Sequence, residues 1–446
     1  MRDMTSGAIH RHLLGYALPM VLGNVLQLTY NAVDSIIIGK CLGENALAAV
    51  SAANPIITIM VLGASGIGIG AAVLMSRFYG ARQMDILQKE FATTEIFSTL
   101  FSFVVFALGM LLAPQLLAWI NTPAQAFDMA VSYLRIIFVG FLFTFQYNIL
   151  SNALRSIGDS KTPVYFLSLS CGLNVLLDVL LVMVFPLGVT GAALATTLSE
   201  AVSVVCCICW IAKKKPELHI GKGGWHMDRA LLKETVQNGS LTALQQAAQP
   251  VGKVMIQSVI NSQGVVAIDA FNAACKIDDY ARIPTQTMGS AIMTCTAQNR
   301  GAGNEERVRK SLWTGLLLSV LYYPLIFLIV QLIKTPAIAL LLPDNSPAML
   351  ELGVTYLGVK AWFFVMPCLT NGIQGYFRGM GKMHIVLIAT IIQISIRTLC
   401  VYLLVPTIGI VGEAWGCFIG WFCMLIFEFG YYCFTGEHHG RTTRKD

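Results

Sequence analysis

Long apolar runs follow one another along most of this chain, separated by short stretches where glycine, proline and charge collect. A hydrocarbon core about 30 Å thick takes about 20 helical residues to cross. Twelve runs reach that length: 13–39, 45–76, 91–113, 128–154, 163–185, 189–212, 237–261, 265–298, 311–333, 349–377, 384–405 and 411–434. Several exceed the minimum, which predicts tilted or kinked helices. A membrane β-barrel would show alternating segments of about 10 residues, and these runs are continuous. The pattern predicts an all-α polytopic membrane protein with twelve transmembrane helices.

Charge placement adds orientation. Of the 30 Lys and Arg residues, 22 fall at the two ends and in the even-numbered connections, while Lys40 and Lys334 alone fall in the odd ones. The remaining six lie within spans. Basic residues gather on the cytoplasmic face, so both termini are expected in the cytoplasm, in an inner (plasma) membrane. The formal net charge of +6 is then a consequence of topology and gives no reason to expect a nucleic-acid partner. MRDMTSGAIHRHLL leads directly into a full-length span, so no cleaved signal peptide is expected.

An internal repeat organises the spans. GENALAAVSAANPI (43–56) matches GVVAIDAFNAACKI (264–277), and GVTGAA (188–193) matches GIVGEA (409–414), both at an offset of 221. ALRSIGDSK (153–161) pairs with YFRGMGKMH (376–384) at 223. The chain therefore reads as two six-helix units. Six is even, so the repeat is parallel, with two lobes around a central cleft that suit alternating access. The expected lobes are 1–212 and 235–446, joined by a basic cytoplasmic linker at 213–234 with a short interfacial helix from Asp228.

Composition narrows the chemistry. Hydrophobic residues make up 56% of the chain and charged residues 12%. The twelve cysteines are scattered through apolar runs and read as small fillers, so neither a disulfide framework nor a zinc site is expected. GASGIGIG (63–70) lies mid-span with no preceding strand, which fits close helix packing better than a dinucleotide loop. No phosphate-binding loop of the G-x-x-x-x-G-K-[ST] kind occurs, so no ATPase is expected on this chain. EHH (437–439) lacks metalloprotease spacing, and the tail reads as a solvated basic end.

An ionisable residue inside a membrane helix is costly and marks pairing or function. The second half carries Asp269, Asp278, Asp279 and Glu413 against Lys253, Lys276, Arg282 and Arg397. Lys276 with Asp279 and Asp278 with Arg282 share a helix side. That cluster reads either as an internal brace near Pro284 or as a substrate contact. The first half carries Asp34, Asp178 and Glu200 with no base nearby in sequence. Such a carboxylate must be protonated, bind a cation or meet a cationic ligand. Asn174 and Asp178, four apart, lie on one helix side; Thr196 adds a hydroxyl, and Asp34 follows Tyr30 by four. Oxygen ligands of this kind suit a hard cation such as Na⁺, and the same carboxylates can carry H⁺. Pro19 is expected to kink the first helix. Candidate residues for the substrate cleft are Tyr30, Asn31, Tyr147, Asn148 and Asn152 in the first half. In the second half they are Gln249, Lys276, Asp279 and Arg282.

Pro19 followed by NAVDSIIIG (31–39), ALAAVSAANPI (46–56), SNALRSIGD (151–159), NVLLDVLL (174–181), GVTGAALAT (188–196) and AQNRGAGN (297–304) resemble the multidrug and toxic compound extrusion (MATE) transporters, most closely the bacterial MepA-type and DinF-like branches. The resemblance spans essentially the whole chain. It implies a non-enzymatic, secondary active efflux antiporter that exports organic, mainly cationic compounds in exchange for Na⁺ or H⁺. A monomer needing no cofactor and no ATPase subunit is expected. It assigns the coupling ion to Asp34, Asn174, Asp178 and Thr196. The family's second acidic site, in the other lobe, has no counterpart: Gln249 stands at its glutamate position, and residues 361–376 contain no acid. Coupling is therefore expected in the first lobe. A lipid-linked precursor flippase of the same wider superfamily is the alternative, favoured by the second-half bases and opposed by the first-half acids. An intramembrane enzyme or a channel fits less well, since no acid–base constellation appears and a channel does not need two lobes.

Overall fold

The computed structural model describes residues 3–221, 223–342 and 346–435. Among these residues the regular structure is helical throughout. The α-helices are α1 (Ile9–Leu42), α2 (Glu44–Gly80), α3 (Met84–Trp119), α4 (Ala124–Ser156), α5 (Lys161–Asp178), α6 (Gly188–Lys214), α7 (Arg229–Asn261), α8 (Val265–Gly301), α9 (Glu305–Leu341), α10 (Pro347–Trp362), α11 (Val365–Gly379), α12 (Met383–Ile408) and α13 (Val411–Phe434). α5 continues as a wider π-helix over Val179–Val184. α10 and α11 meet at a 50° bend and form one broken span. Each of the twelve sequence-predicted spans thus has its helix. Nine of these helices among the described residues are apolar enough to cross a membrane on composition, and the bent pair makes ten. α7 and α8 are long enough and too polar, because they carry the charged cluster of the second half. The tail at 436–446, read above as a solvated end, lies outside the described residues.

Two compact units emerge. The first contains Pro19–Ala243; the second contains Met4–Leu18 and the chain from Leu244 onward. The boundaries differ from the expected lobes. They fall inside two helices, at Leu18/Pro19 in α1 and Ala243/Leu244 in α7, rather than in the linker. The opening turns of α1 belong with the second unit, where the Tyr16 hydroxyl bonds Thr294 Oγ1 at 3.0 Å and Leu13 and Tyr16 are fully buried. α1 runs unbroken through Pro19. No separate interfacial helix follows Asp228; its Oδ1 accepts the Ala230 and Leu231 amides at 2.8 and 3.1 Å and so caps α7 itself.

The repeat is visible in packing. Ala46, Ala49 and Ala53 of α2 are buried in the first unit's core, and Ala267, Ala270 and Ala274 of α8, each 221 residues on, in the second's. Small residues at this spacing let helices approach closely. Left-handed glycines recur in the same register: Gly158 and Gly381 are 223 apart, Gly188 and Gly409 are 221 apart, and all have φ between +63° and +81°. Between these two pairs the first unit is therefore two residues longer, and that is where its π-helix lies. A π segment accommodates inserted residues without ending the helix.

Two contacts outside or between spans carry testable energy. Gly289 of α8 and Gly375 of α11 touch backbone to backbone: a Cβ on Gly375 would stand 2.2 Å from the Gly289 carbonyl oxygen. Asp159, in the α4–α5 connection, accepts the Thr162 amide at 3.1 Å and pairs with Lys215. Burial pushes its carboxyl up, but the Lys215 and Thr162 bonds outweigh this and hold it below the ordinary value. Gly375→Val is expected to cost about 3 kcal/mol or more, whereas Gly430→Ala, where a Cβ meets nothing within 4 Å, is expected to be neutral or slightly stabilising; thermal unfolding in detergent compares them. For Asp159 the folded state holds its proton less tightly than the unfolded chain. Its stabilisation is therefore full above about pH 4 and is lost as pH falls below that. Lys215→Ala is expected to lower stability at neutral pH by about 1–2 kcal/mol and to flatten that acid-side loss, read from unfolding midpoints across pH.

Candidate functional site

α5 reverses the usual arrangement of an amphipathic helix. Past its first turn the residues it buries are Asn174 and Asp178, at 1% and 0% exposure, while Leu176, Val179 and Leu180 face outward. Apolar side chains are content in lipid, so the helix is free to spend its inner side on polar groups. The α-to-π change begins immediately after Asp178. π turns concentrate at functional positions.

Asn174 Nδ2 donates to Thr196 Oγ1 of α6 at 3.2 Å, and that hydroxyl donates to the Ala192 carbonyl at 3.2 Å. Both Asp178 oxygens, Asn174 Oδ1 and Asp34 Oδ1 are buried with no hydrogen-bond partner among the described residues. The Asp34 and Asp178 carboxyls approach within interacting range, with Tyr30 and Tyr133 near both. Neither carboxylate takes part in an ion pair among the described residues. The four residues assigned to the coupling ion are thus brought together in the first unit, with four acceptor atoms left over. Unpartnered buried acceptors are expensive, and a proton or a small hard cation would satisfy them. The leftover acceptors are carboxylate and amide oxygens, of the kind that suit a hard cation such as Na⁺.

Glu200, one turn beyond Thr196, accepts from Thr144 of α4. Of the first-half cleft candidates, Tyr30 is beside the ion site and Asn31 is exposed on α1. Tyr147, Asn148 and Asn152 each have one donor engaged within the first unit. The Tyr147 hydroxyl donates to the Pro163 carbonyl at 2.6 Å, and the two amides each donate one turn back along α4 at 2.9 Å. Each amide keeps a second N–H beyond these bonds.

The second unit pairs its charges. Glu413 of α13, fully buried, accepts from Arg397 at 2.5 Å, Lys360 at 3.0 Å, the Tyr356 hydroxyl at 2.5 Å and Cys417 at 3.1 Å. Asp278 binds Arg282 at 3.2 Å and lies 3.9 Å from Lys360; Asp279 binds Arg282 at 3.0 Å and faces Lys253 at 3.7 Å. A cavity of about 220 Å³ opens among these groups, and Gln249, Asp279 and Arg282 line it. Lys276 is exposed, is not among the residues that line this cavity, and makes none of the ion pairs described; Asp279 turns to Arg282 and Lys253 instead. Asp269 likewise stays out of the network.

Among the buried charges that escaped the reading of the sequence, two stand alone in apolar runs. Lys360 of α10 is 2% exposed and joins Glu413 to Asp278. Glu428 of α13 is fully buried, with neither carboxylate oxygen hydrogen-bonded among the described residues. Each is a lone charge in an apolar run, which was signal enough to find it.

Known proteins share this architecture. The MatE family model matches twice, at residues 19–180 and 242–403, one match per repeat. The chain is 29% identical over 393 residues to the probable multidrug resistance protein YpnP of Bacillus subtilis, covering 88% of this chain and 87% of that protein. It is 24% identical over 369 residues to a FAD transporter of Shewanella oneidensis, covering 82% and 80%. A solved MOP superfamily transporter from Pyrococcus furiosus shares the fold with a TM-score of 0.91 over 99% of this chain and 98% of that one, at 22% identity. With both repeats matched and the helices in the order described, this chain belongs to the MatE family of multi-pass membrane transporters.

Proposed function

We propose that the protein is a multidrug efflux antiporter that exports organic, mainly cationic compounds in exchange for inward Na⁺ or H⁺. The observation that carries this reading is the set of buried oxygens on Asp34, Asn174 and Asp178 with no partner. A site that is costly when empty and satisfied by one small cation or proton can couple that ion's entry to a change of conformation. Thr196 holds the Asn174 side chain in place, and the two carboxylates take the positive charge. Relief of their desolvation on loading is the differential energy that moves the equilibrium between inward- and outward-open arrangements of the two lobes. The 22-to-2 partition of basic residues supports both termini on the cytoplasmic side of the plasma membrane. The protein acts as a monomer without an ATPase subunit.

Kinship at this distance leaves cargo open, since the relatives include both a multidrug resistance protein and a FAD transporter. The test is export of ethidium from vesicles reconstituted with the purified chain, with Na⁺ and pH gradients imposed one at a time. Export is expected to follow one of the gradients and to stop when it is dissipated; export restored only by ATP would overturn the reading. Asp178→Asn is expected to reduce gradient-driven export to background. Thermal stability should be unchanged or higher by up to about 2 kcal/mol, because a buried group that wants to ionise has been made neutral. Undiminished export by this variant would remove Asp178 from the coupling site.

A further inference from the structure

The ion site has a counterpart in the second repeat, and its polarity is reversed. The register is set by the left-handed glycines, 223 residues apart before the α5 π-helix and 221 after it. Asn174 then corresponds to Arg397, Asp178 to Val401 and Thr196 to Cys417. In the first unit Asn174 and Thr196 bond each other and leave acceptors unpaired. In the second, Arg397 and Cys417 both donate to Glu413 Oε1 and both line the cavity. An amide has become a guanidinium, and the carboxylate has become a buried valine.

The cavity lining holds Lys253, Arg282, Lys360 and Arg397 against Asp278 and Asp279. Counting the buried Glu413 behind the wall, four bases meet three acids. Glu413 is already engaged by four donors, so one positive charge remains uncompensated in a region of low dielectric. Donors remain: Arg397 Nε has no hydrogen-bond partner among the described residues, and Lys253 has one loose contact at 3.7 Å, whereas Arg282 Nε lies 3.2 Å from Asp278. Guanidinium groups favour carboxylate and phosphate. Phe271 and Trp421 supply flat apolar wall. A dry cavity of about 150 Å³ accommodates benzene and whole drug pockets run to about 300–1,000 Å³. At about 220 Å³ the space suits one or two fused rings with an acidic group.

We propose that the second unit's cavity is a binding site for an organic anion, a carboxylate or phosphate carried on a flat aromatic ring. The site deepens the transporter reading by adding an anionic class of cargo, and it rests on that reading only in treating the bound compound as cargo. Lys253, the most exposed of the four bases, meets the anion; Arg282 and Arg397 line the space and supply the remaining positive charge; Asp279 competes with it for Lys253 and Arg282.

The test is calorimetric titration of the purified full-length chain in detergent with 4-methylumbelliferyl phosphate and with the neutral 4-methylumbelliferone. The phosphate is expected to bind at least about tenfold more tightly. Lys253→Gln is expected to weaken the phosphate about tenfold, and Asp279→Asn to tighten it, with the neutral ring unmoved in both. Both side chains are partly exposed, 60% and 41%, so the buried Glu413 network survives either substitution. Equal binding of the two probes, or a phosphate affinity that neither variant changes, would overturn the proposal. No gradient enters this measurement, so it stands or falls separately from ion-coupled export of ethidium.

Discussion

A charge inside a membrane must find a partner or be neutralised, and both units are arranged around that cost. The second unit meets it internally. Glu413 collects Arg397, Lys360, Tyr356 and Cys417, while Asp278 and Asp279 share Arg282. The first unit leaves it unmet at Asp34 and Asp178, whose only helpers are neutral. A paired network carries its own compensation, whereas an unpaired one would be satisfied by a proton or a small cation taken from solution.

The contrast arises within a single duplicated architecture. Alanine stripes 221 residues apart build matching cores, so backbone position is conserved between the repeats while side-chain chemistry is free to diverge. α5 shows how little the scaffold constrains that chemistry. Past its first turn it buries only Asn174 and Asp178, while Leu169 and Leu176 are exposed. The extra two residues of the first repeat are absorbed by the π-helix that starts at Asp178. Length, helix type and charge therefore change together at one point of the repeat.

Much of this was legible in the chain itself. Hydrophobic run length determines helices because a membrane leaves backbone groups no other way to be satisfied; the twelve spans and the repeat follow from that alone. The cost of burying charge identified Asp34, Asp178 and the second-half cluster from sequence, and spacing placed Asn174 beside Asp178. Side-chain direction was not legible to the same degree. Lys276 and Asp279 stand three apart on α8, yet Asp279 pairs with Arg282 and Lys276 makes none of the ion pairs described, because helical spacing sets proximity and neighbouring side chains decide the partner. Tyr147, Asn148 and Asn152 each make a hydrogen bond within the first unit whose partner the spacing did not name.

The sequence by itself determined the class of solvent, the number of helices, their duplication and the positions where charge had to be explained, since these depend on local composition and on period. Tertiary structure alone decided which charges are satisfied. Lys360 completes the Glu413 network from a helix 53 residues away, and the opening turns of α1 and α7 belong to the opposite unit from the rest of their helices. Both depend on contacts between segments distant along the chain, for which no local pattern carries the information.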